Sequence, residues 1–267
     1  MSAASDGYLL DNADARAGER LRALGELFDA TTFRHAERLG LCAGARCWEV
    51  GAGGDSVVRG FAARVGPSGY VLATDIDLSW ACAASAANVE VRVHDVATDP
   101  PPGEGFDLVH ARLVLVHLRD RAAALHTMCA ALRPGGRLLV EDADPALQPL
   151  ACIDAAGPDE TLANEIRAAF RMLLAERGAD LAYGRTLPRA LRAAGLRDVG
   201  ADAYFPVALP ACAPLEAATV TMLRASIVAK GLATDAQIDH HLANVAAGKI
   251  DLATSPLISA WGTRPAT

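Results

Sequence analysis

The chain has 267 residues, 52% hydrophobic and 21% charged, with 25 basic against 32 acidic side chains and a formal net charge of −7. That is enough chain to bury a full core, and the mix excludes a disordered or fibrous protein. Only Lys230 and Lys249 are lysines and the other 23 basic residues are arginines spread thinly, whereas a nucleic-acid surface needs clustered cations to displace counterions. Nucleic acid is therefore not an expected partner.

The six cysteines form no CxxC pair and no Cys/His metal spacing, so neither a disulfide framework nor a metal site is expected. The first twenty residues lack the basic-then-apolar layout of a secretion signal, and no apolar run approaches the roughly 20 residues of a membrane span. The expectation is a cytoplasmic protein of one domain, with no membrane partner. Residues 1–40 would form a helical cap, 41–145 a ligand-binding core, and 146–267 helices and terminal strands on the far side.

In chain order, Leu21, Leu24, Leu27 and Phe28 recur at helical spacing and predict an amphipathic helix over 13–28. Asp29-Ala30-Thr31-Thr32 reads as the cap of a second short helix through Leu39, with Gly40 as its left-handed exit. RCWEV (46–50) is then a buried strand ending in glycines. A helix carrying Val57, Val58, Phe61, Ala62 and Val65 follows, stopped by Gly66-Pro67-Ser68-Gly69. Further strands are predicted at YVLATDID, VEVRVHDV (89–96), FDLVHARLVLV (106–116) and GRLLVED (136–142). A helix capped by Asp120 and closed at Pro134-Gly135-Gly136 separates the last two. Apolar strands alternating with helices mean a parallel sheet covered on both faces. After Asp144 the pattern predicts a helix over 159–177, another capped by Thr186, a strand at AYFPVAL, helices over 214–230 and 234–248, and a last strand at LISAW.

The sharpest local signal is Glu49-Val50-Gly51-Ala52-Gly53-Gly54-Asp55, a glycine turn between strand and helix, with Asp75 closing the next strand 22 residues later. Glycine admits a tight turn and close ligand approach. A carboxylate at that strand tip can accept both hydroxyls of a ribose. A dinucleotide loop would want a third glycine where Ser56 stands, and the charge of Asp55 opposes pyrophosphate at the helix start. An adenosine ligand whose tail carries an ammonium tolerates Glu49 and Asp55.

With these residues the chain resembles the class I S-adenosylmethionine-dependent methyltransferases. EVGAGGD is similar to that family's cofactor loop, ATDID to its acidic second strand and RVHDV to its third-strand motif. FDLVHARLVLVHL resembles its fourth strand and LRPGGRLLVEDAD its run into the fifth. The resemblance implies an α/β, Rossmann-like, seven-stranded and mostly parallel sheet whose last strand inserts antiparallel, with a helical insertion before it. It implies S-adenosylmethionine as cofactor. Gly51 and Gly53 would lie under the methionyl part, with Glu49 on its ammonium and Arg34 on its carboxylate. Asp75 would hold the ribose, Ile76 would pack on the adenine, Asp95 and Val96 would bind its edge, and the backbone near Arg112 would meet the methionyl group. Each has a bland alternative: the glycines serve only the turn, Asp75 and Asp95 only cap loops, and Arg34 pairs with Glu37 on its own helix face.

Methyl transfer is an in-line displacement in which positioning supplies much of the rate. His117, in the turn after the fourth strand, is the first candidate general base and His110 the second, because imidazole titrates near neutral pH; either could equally be a hydrogen-bonded core histidine. His240 and His241 read as a solvated pair rather than a metal site. Glu141, Asp142 and Asp144, with Tyr8, Tyr183 and Arg185, are candidates for the acceptor pocket, Asp142, Tyr8 and Tyr183 foremost. The predicted function is methyl transfer to a small organic acceptor, such as a natural-product intermediate, by a chain in which Leu215, Val220, Met222, Leu223 and Ile227 could supply a homodimer face. Three other readings stand beside it: a nicotinamide-dependent oxidoreductase, a non-catalytic cofactor-binding subunit, and non-methylating chemistry with the same cofactor.

Overall fold

The computed structural model describes residues 9–10, 16–81 and 86–266. One sheet contains β1 (Arg46–Val50), β2 (Tyr70–Asp75), β3 (Val89–Val93), β4 (Phe106–Arg112), β5 (Leu132–Ala143), β6 (Arg197–Tyr204) and β7 (Leu257–Thr263). The order across it is β3-β2-β1-β4-β5-β7-β6. The first five strands pair in parallel, and β7 enters antiparallel between β5 and β6. The chain turns back at the β1/β4 seam, and beyond the strand ends at such a seam the sheet opens a crevice. The predicted seven-stranded, mostly parallel sheet is what folds.

Among the described residues seven α-helices flank it: α1 (Ala17–Arg38), α2 (Ser56–Val65), α3 (Arg121–Ala131), α4 (Pro158–Glu176), α5 (Leu187–Ala193), α6 (Cys212–Ala229) and α7 (Asp235–Ala246). On one face Val58, Phe61 and Val65 of α2 pack on Cys47, Val71 and Leu108. On the other, Leu125 and Met128 of α3 and Leu187 and Leu191 of α5 pack on Trp48, Leu72 and Val109. Burial from both sides is why these strands read as continuous apolar runs. Above the strand ends, Leu24, Leu27 and Phe28 of α1 meet Ala163, Cys212 and Val245 of the late helices.

Several sequence expectations change. The two predicted N-terminal helices are one, α1, running straight through Asp29–Thr32. Those residues have tertiary partners instead of capping duties: Asp29 accepts from Arg112 Nη1 at 2.9 Å, and the buried Thr32 hydroxyl donates to Glu141. The strand expected at AYFPVAL lies upstream and ends at Tyr204. Pro206 has no N–H for a ladder and Ala208 has φ +51°, so only an isolated bridge, Val207 to Ala253, survives there. β6 itself is mostly exposed, which hid it from a search for apolar alternation. β5 starts at Leu132, four residues early. Thr186 precedes α5 without capping it, its hydroxyl donating to Tyr183 O at 2.8 Å. The apolar stripe considered for a dimer is spent inside the chain: Val220, Leu223 and Ile227 are buried against Ile166, Leu173 and Ile238. α6 has a mean hydropathy of 1.2 over 18 residues, and it packs on α1, α4 and α7.

α1 docks on α2 at a point that only glycine permits. A Cβ at Gly60 would sit 2.0 Å from Cζ of Phe33, whose ring packs edge-on to Phe61 and carries Arg64 4.0 Å above it. Overpacking of this kind costs roughly 1–3 kcal/mol. Gly60→Ala should lower the urea unfolding midpoint accordingly, and adding Phe33→Leu should recover part of the loss.

Candidate functional site

A cavity of about 310 Å³ opens beyond the C-terminal ends of β1, β2 and β4, with α1 over it. Its floor is the glycine turn. Gly51 and Gly53 have φ of +64° and +58°, the left-handed region that favours glycine. A Cβ on Gly51 would stand 2.4 Å from Val114 Cγ2, and one on Gly53 3.2 Å from Leu21. Asp75 forms one wall at the tip of β2. Its Oδ2 accepts from Gly53 N–H at 2.7 Å and its Oδ1 from Asp77 N–H at 3.0 Å. Burial raises its pKa against the pull of those amides. The carboxylate therefore ties the turn to β2 and still borders the cavity. Ile76 beside it is 57% exposed, an apolar plate at the mouth. His94, Asp95 and Val96 follow β3 beside β2, the His94 N–H donating to Asp75 O at 3.0 Å, and also line the cavity. Pro100 O lies 2.9 Å from His94 Nε2; a carbonyl only accepts, so the proton sits on Nε2.

Beneath this cavity runs a buried array of charges. Glu49 Oε2 lies 2.5 Å from His110 Nδ1, and His110 Nε2 lies 3.3 Å from Glu141 Oε2. Glu141 also accepts from Thr32 and from Ser259 Oγ at 2.7 Å. Its Oε1 is 3.5 Å from His35 Nδ1, whose Nε2 reaches Asp202 at 3.0 Å. Arg112 adds a cation, held by Asp29 and by Thr32 at 3.1 Å. Burial alone would lower the pKa of His110, but the two carboxylates raise it to about 9. Glu141 is depressed although burial opposes it, because His110 and His35 hydrogen-bond its charged form. His110 is thus an imidazolium bridging β1 and β5.

A second, smaller cavity of about 120 Å³ adjoins the first, and Arg20, Leu24, Leu113 and His117 border both. Arg20 Nε is buried without a hydrogen-bond partner. Leu113 has φ +58°, a strained conformation for a leucine. It is fixed by its N–H to Glu141 O at 2.8 Å. Burial, then the charges of Arg20 and Arg121, lowers the pKa of His117 to about 4, so at pH 7 it is a neutral imidazole.

The sequence candidates divide accordingly. Glu49, Gly51, Gly53, Asp75, Ile76, Asp95, Val96, Arg112 and His117 all border the larger cavity. His110 does not; it is fully buried in the charge array. Arg34 is outside too, half exposed and 3.8 Å from Asp202 on the far side of α1. Asp142, on β5, and Tyr183 are both buried and border neither cavity. Burial pushes the Asp142 carboxyl up to about 8. Asp144 is taken by Arg185, with contacts of 2.7 and 2.6 Å. Tyr8 lies outside the described residues. His241 is buried against Glu216 at 3.2 Å instead of solvated, while exposed His240 meets Asp159 at 2.7 Å. Asp55 turns from the cavity to Arg59 at 2.7 Å. Sequence reasoning missed Arg20 and Leu113. Arg20 sits four residues before Leu24 on the buried face of α1, a visible signal; a left-handed leucine leaves none.

A family model described as "Methyltransferase domain" matches residues 18–201. Among curated proteins, the chain is 32% identical over 117 residues to a Chromobacterium violaceum ubiquinone/menaquinone biosynthesis C-methyltransferase, covering 42% of this chain and 48% of that one. It is 27% identical over 181 residues to a Triticum aestivum phosphoethanolamine N-methyltransferase, covering 64% and 32%. The chain spans about half the length, or less, of these relatives. The fold is shared with Haemonchus contortus phosphoethanolamine N-methyltransferase 2, solved with phosphomonomethylethanolamine and S-adenosylhomocysteine. The TM-score is 0.61 at 15% identity, covering 98% of this chain and 60% of that one. It is shared also with Bacillus subtilis YcgJ, at TM-score 0.55 and 16% identity over 92% and 99%.

The charge array makes stability depend on pH. A pKa raised from 6.5 to about 9 on folding gives His110 a stabilising contribution that is full below pH 6.5 and fades as pH rises through 9. Removing one partner of a buried ion pair costs roughly 3–5 kcal/mol. His110→Leu should lose about that much at pH 6.5 in chemical denaturation, and its stability should vary less than the wild type's between pH 6.5 and 9.5. Equal stability and equal slope would show that the array is not ionised.

Proposed function

The chain belongs to the methyltransferase-domain family, and from that premise we propose that it moves the methyl group of S-adenosylmethionine to a small organic molecule, such as a natural-product intermediate. The observation that carries this reading is the larger cavity: a glycine floor closed to any side chain, a carboxylate at the tip of β2, and an apolar plate beside it. These residues fit the cofactor. Asp75 accepts from its ribose hydroxyls, Ile76 covers its adenine, and Glu49 faces its ammonium. Arg20 takes the carboxylate role expected of Arg34, because its guanidinium borders the cavity and its buried Nε has no partner. A nicotinamide dinucleotide fits less well, since the acid Asp55 precedes the first turn of α2 where pyrophosphate would sit.

When bound, S-adenosylmethionine supplies a methyl group already activated on sulfur. The protein's task is then orientation and proton removal. Leu24 and Leu113, on the wall common to both cavities, hold the acceptor against the methyl-bearing end and exclude water. His117 on the same wall is unprotonated at neutral pH and accepts the acceptor's proton.

Calorimetry with S-adenosylhomocysteine tests the cofactor assignment. Asp75→Asn should weaken both it and 5′-methylthioadenosine by about tenfold to a hundredfold, the loss of a charge-assisted hydrogen bond. Arg20→Gln should weaken S-adenosylhomocysteine alone, because methylthioadenosine has no carboxylate. Labelled methyl leaving the cofactor separates transfer from a purely binding role. The acid limb of kcat/KM should fall near pH 4, the value for His117, leaving the rate level from about pH 5.5 to 8; a limb near 6.5 would remove His117 from that role.

A further inference from the structure

The smaller cavity narrows the acceptor class, on the premise that the larger one holds the cofactor. Its wall is mostly hydrocarbon, with Phe28 from α1, Phe170 and Leu174 from α4, Leu215 from α6, and Leu181, and it carries the hydroxyls of Thr219, Thr254 and Ser255. Glu216 is the one carboxylate among the described residues that line it. Both oxygens of Glu216 are engaged, Oε2 by Arg167 Nη2 at 2.6 Å and Oε1 by His241 Nε2 at 3.2 Å. Arg167 in turn gives its other Nη to Ala253 O at 3.3 Å. The pair is nearly inaccessible, with side chains 11% and 5% exposed. An ammonium entering here would shed its water and find no carboxylate to replace it. A phosphate would find Arg167 neutralised and Arg20, which borders both cavities, committed by the same premise to the cofactor carboxylate. Desolvating a charge without a partner is prohibitive.

We propose that this compartment takes a compact, uncharged, largely hydrocarbon acceptor whose nucleophile is a hydroxyl, held against the wall that Leu24, Leu113 and His117 share with the cofactor cavity. A volume of about 120 Å³ holds on the order of ten heavy atoms at 10–15 Å³ each, the size of one or two fused rings. The hydroxyl lies against His117 on the shared wall. The O–H proton passes to the His117 imidazole. The oxygen lone pair forms the new bond to the methyl carbon. The carbon–sulfur bond breaks with its electron pair returning to sulfur, leaving a neutral thioether, and the imidazolium then loses its proton to water.

The test uses 2-naphthol, tryptamine and phosphoethanolamine as probes in calorimetry on the full chain, with and without S-adenosylhomocysteine. 2-Naphthol should bind at least tenfold more tightly than either charged probe. Leu181→Trp, which fills the compartment from a half-buried position, should weaken 2-naphthol at least tenfold and leave S-adenosylhomocysteine affinity unchanged. Tryptamine or phosphoethanolamine binding as tightly as 2-naphthol would overturn the proposal, as would 2-naphthol binding that ignores Leu181→Trp. If S-adenosylhomocysteine fails to bind while 2-naphthol binds in a Leu181-dependent way, the cofactor reading falls and the compartment's chemistry stands.

Discussion

A buried contact inside the sheet, Glu49 to the His110 imidazolium to the Glu141 carboxylate, is the constraint on which the site rests. It joins three adjacent strands side by side, β1, β4 and β5, at the ends where the cavities begin. Charges buried at this depth persist only if each has partners with good geometry. Glu49 immediately precedes the turn residues Val50 and Gly51, so its fixed position sets where the glycine floor starts. Glu141 fixes α1 through Thr32 and β7 through Ser259. The element that carries Arg20 and Leu24 is thereby registered against β4, whose following turn carries Leu113 and His117. An apolar core would hold these layers together as firmly, but it would not specify one register so sharply.

Much of the sheet was legible because parallel strands covered on both faces leave a simple record, short apolar runs punctuated by glycine, proline and capping acids. The glycine turn and Asp75 were legible for a different reason. Close ligand approach and a strand-tip carboxylate demand particular residue types at particular spacing. What local reasoning missed was decided by distant partners. Asp29-Ala30-Thr31-Thr32 has the composition of a helix cap, and only Arg112 and Glu141, more than 80 residues on, make it the middle of a helix. β6 is exposed, so it has no apolar face to advertise, and Pro206 and Ala208 sit where the apolar run suggested pairing.

The histidines show the same limit more sharply. His110 and His117 are seven residues apart on either side of one strand end, and sequence gives them equal chemistry. The fold separates them by their neighbours. His110 falls between two carboxylates and becomes a structural cation. His117 is buried, beside Arg20 and Arg121, and stays neutral. His240 and His241 divide in the same way, one toward solvent and one toward Glu216. A titratable residue's protonation is set by its burial and by the charges packed on it, and those come from other strands and helices.

Leu113 carries a backbone conformation that glycine would adopt at no cost, yet it places a branched side chain where the two hollows meet. Such strain costs about 1 kcal/mol or more. A glycine there would relax the loop and remove one of the side chains that border both hollows. The molecule therefore tolerates a locally unfavourable torsion on the wall its two cavities share. Local stability and the shape of that wall pull in opposite directions at that residue.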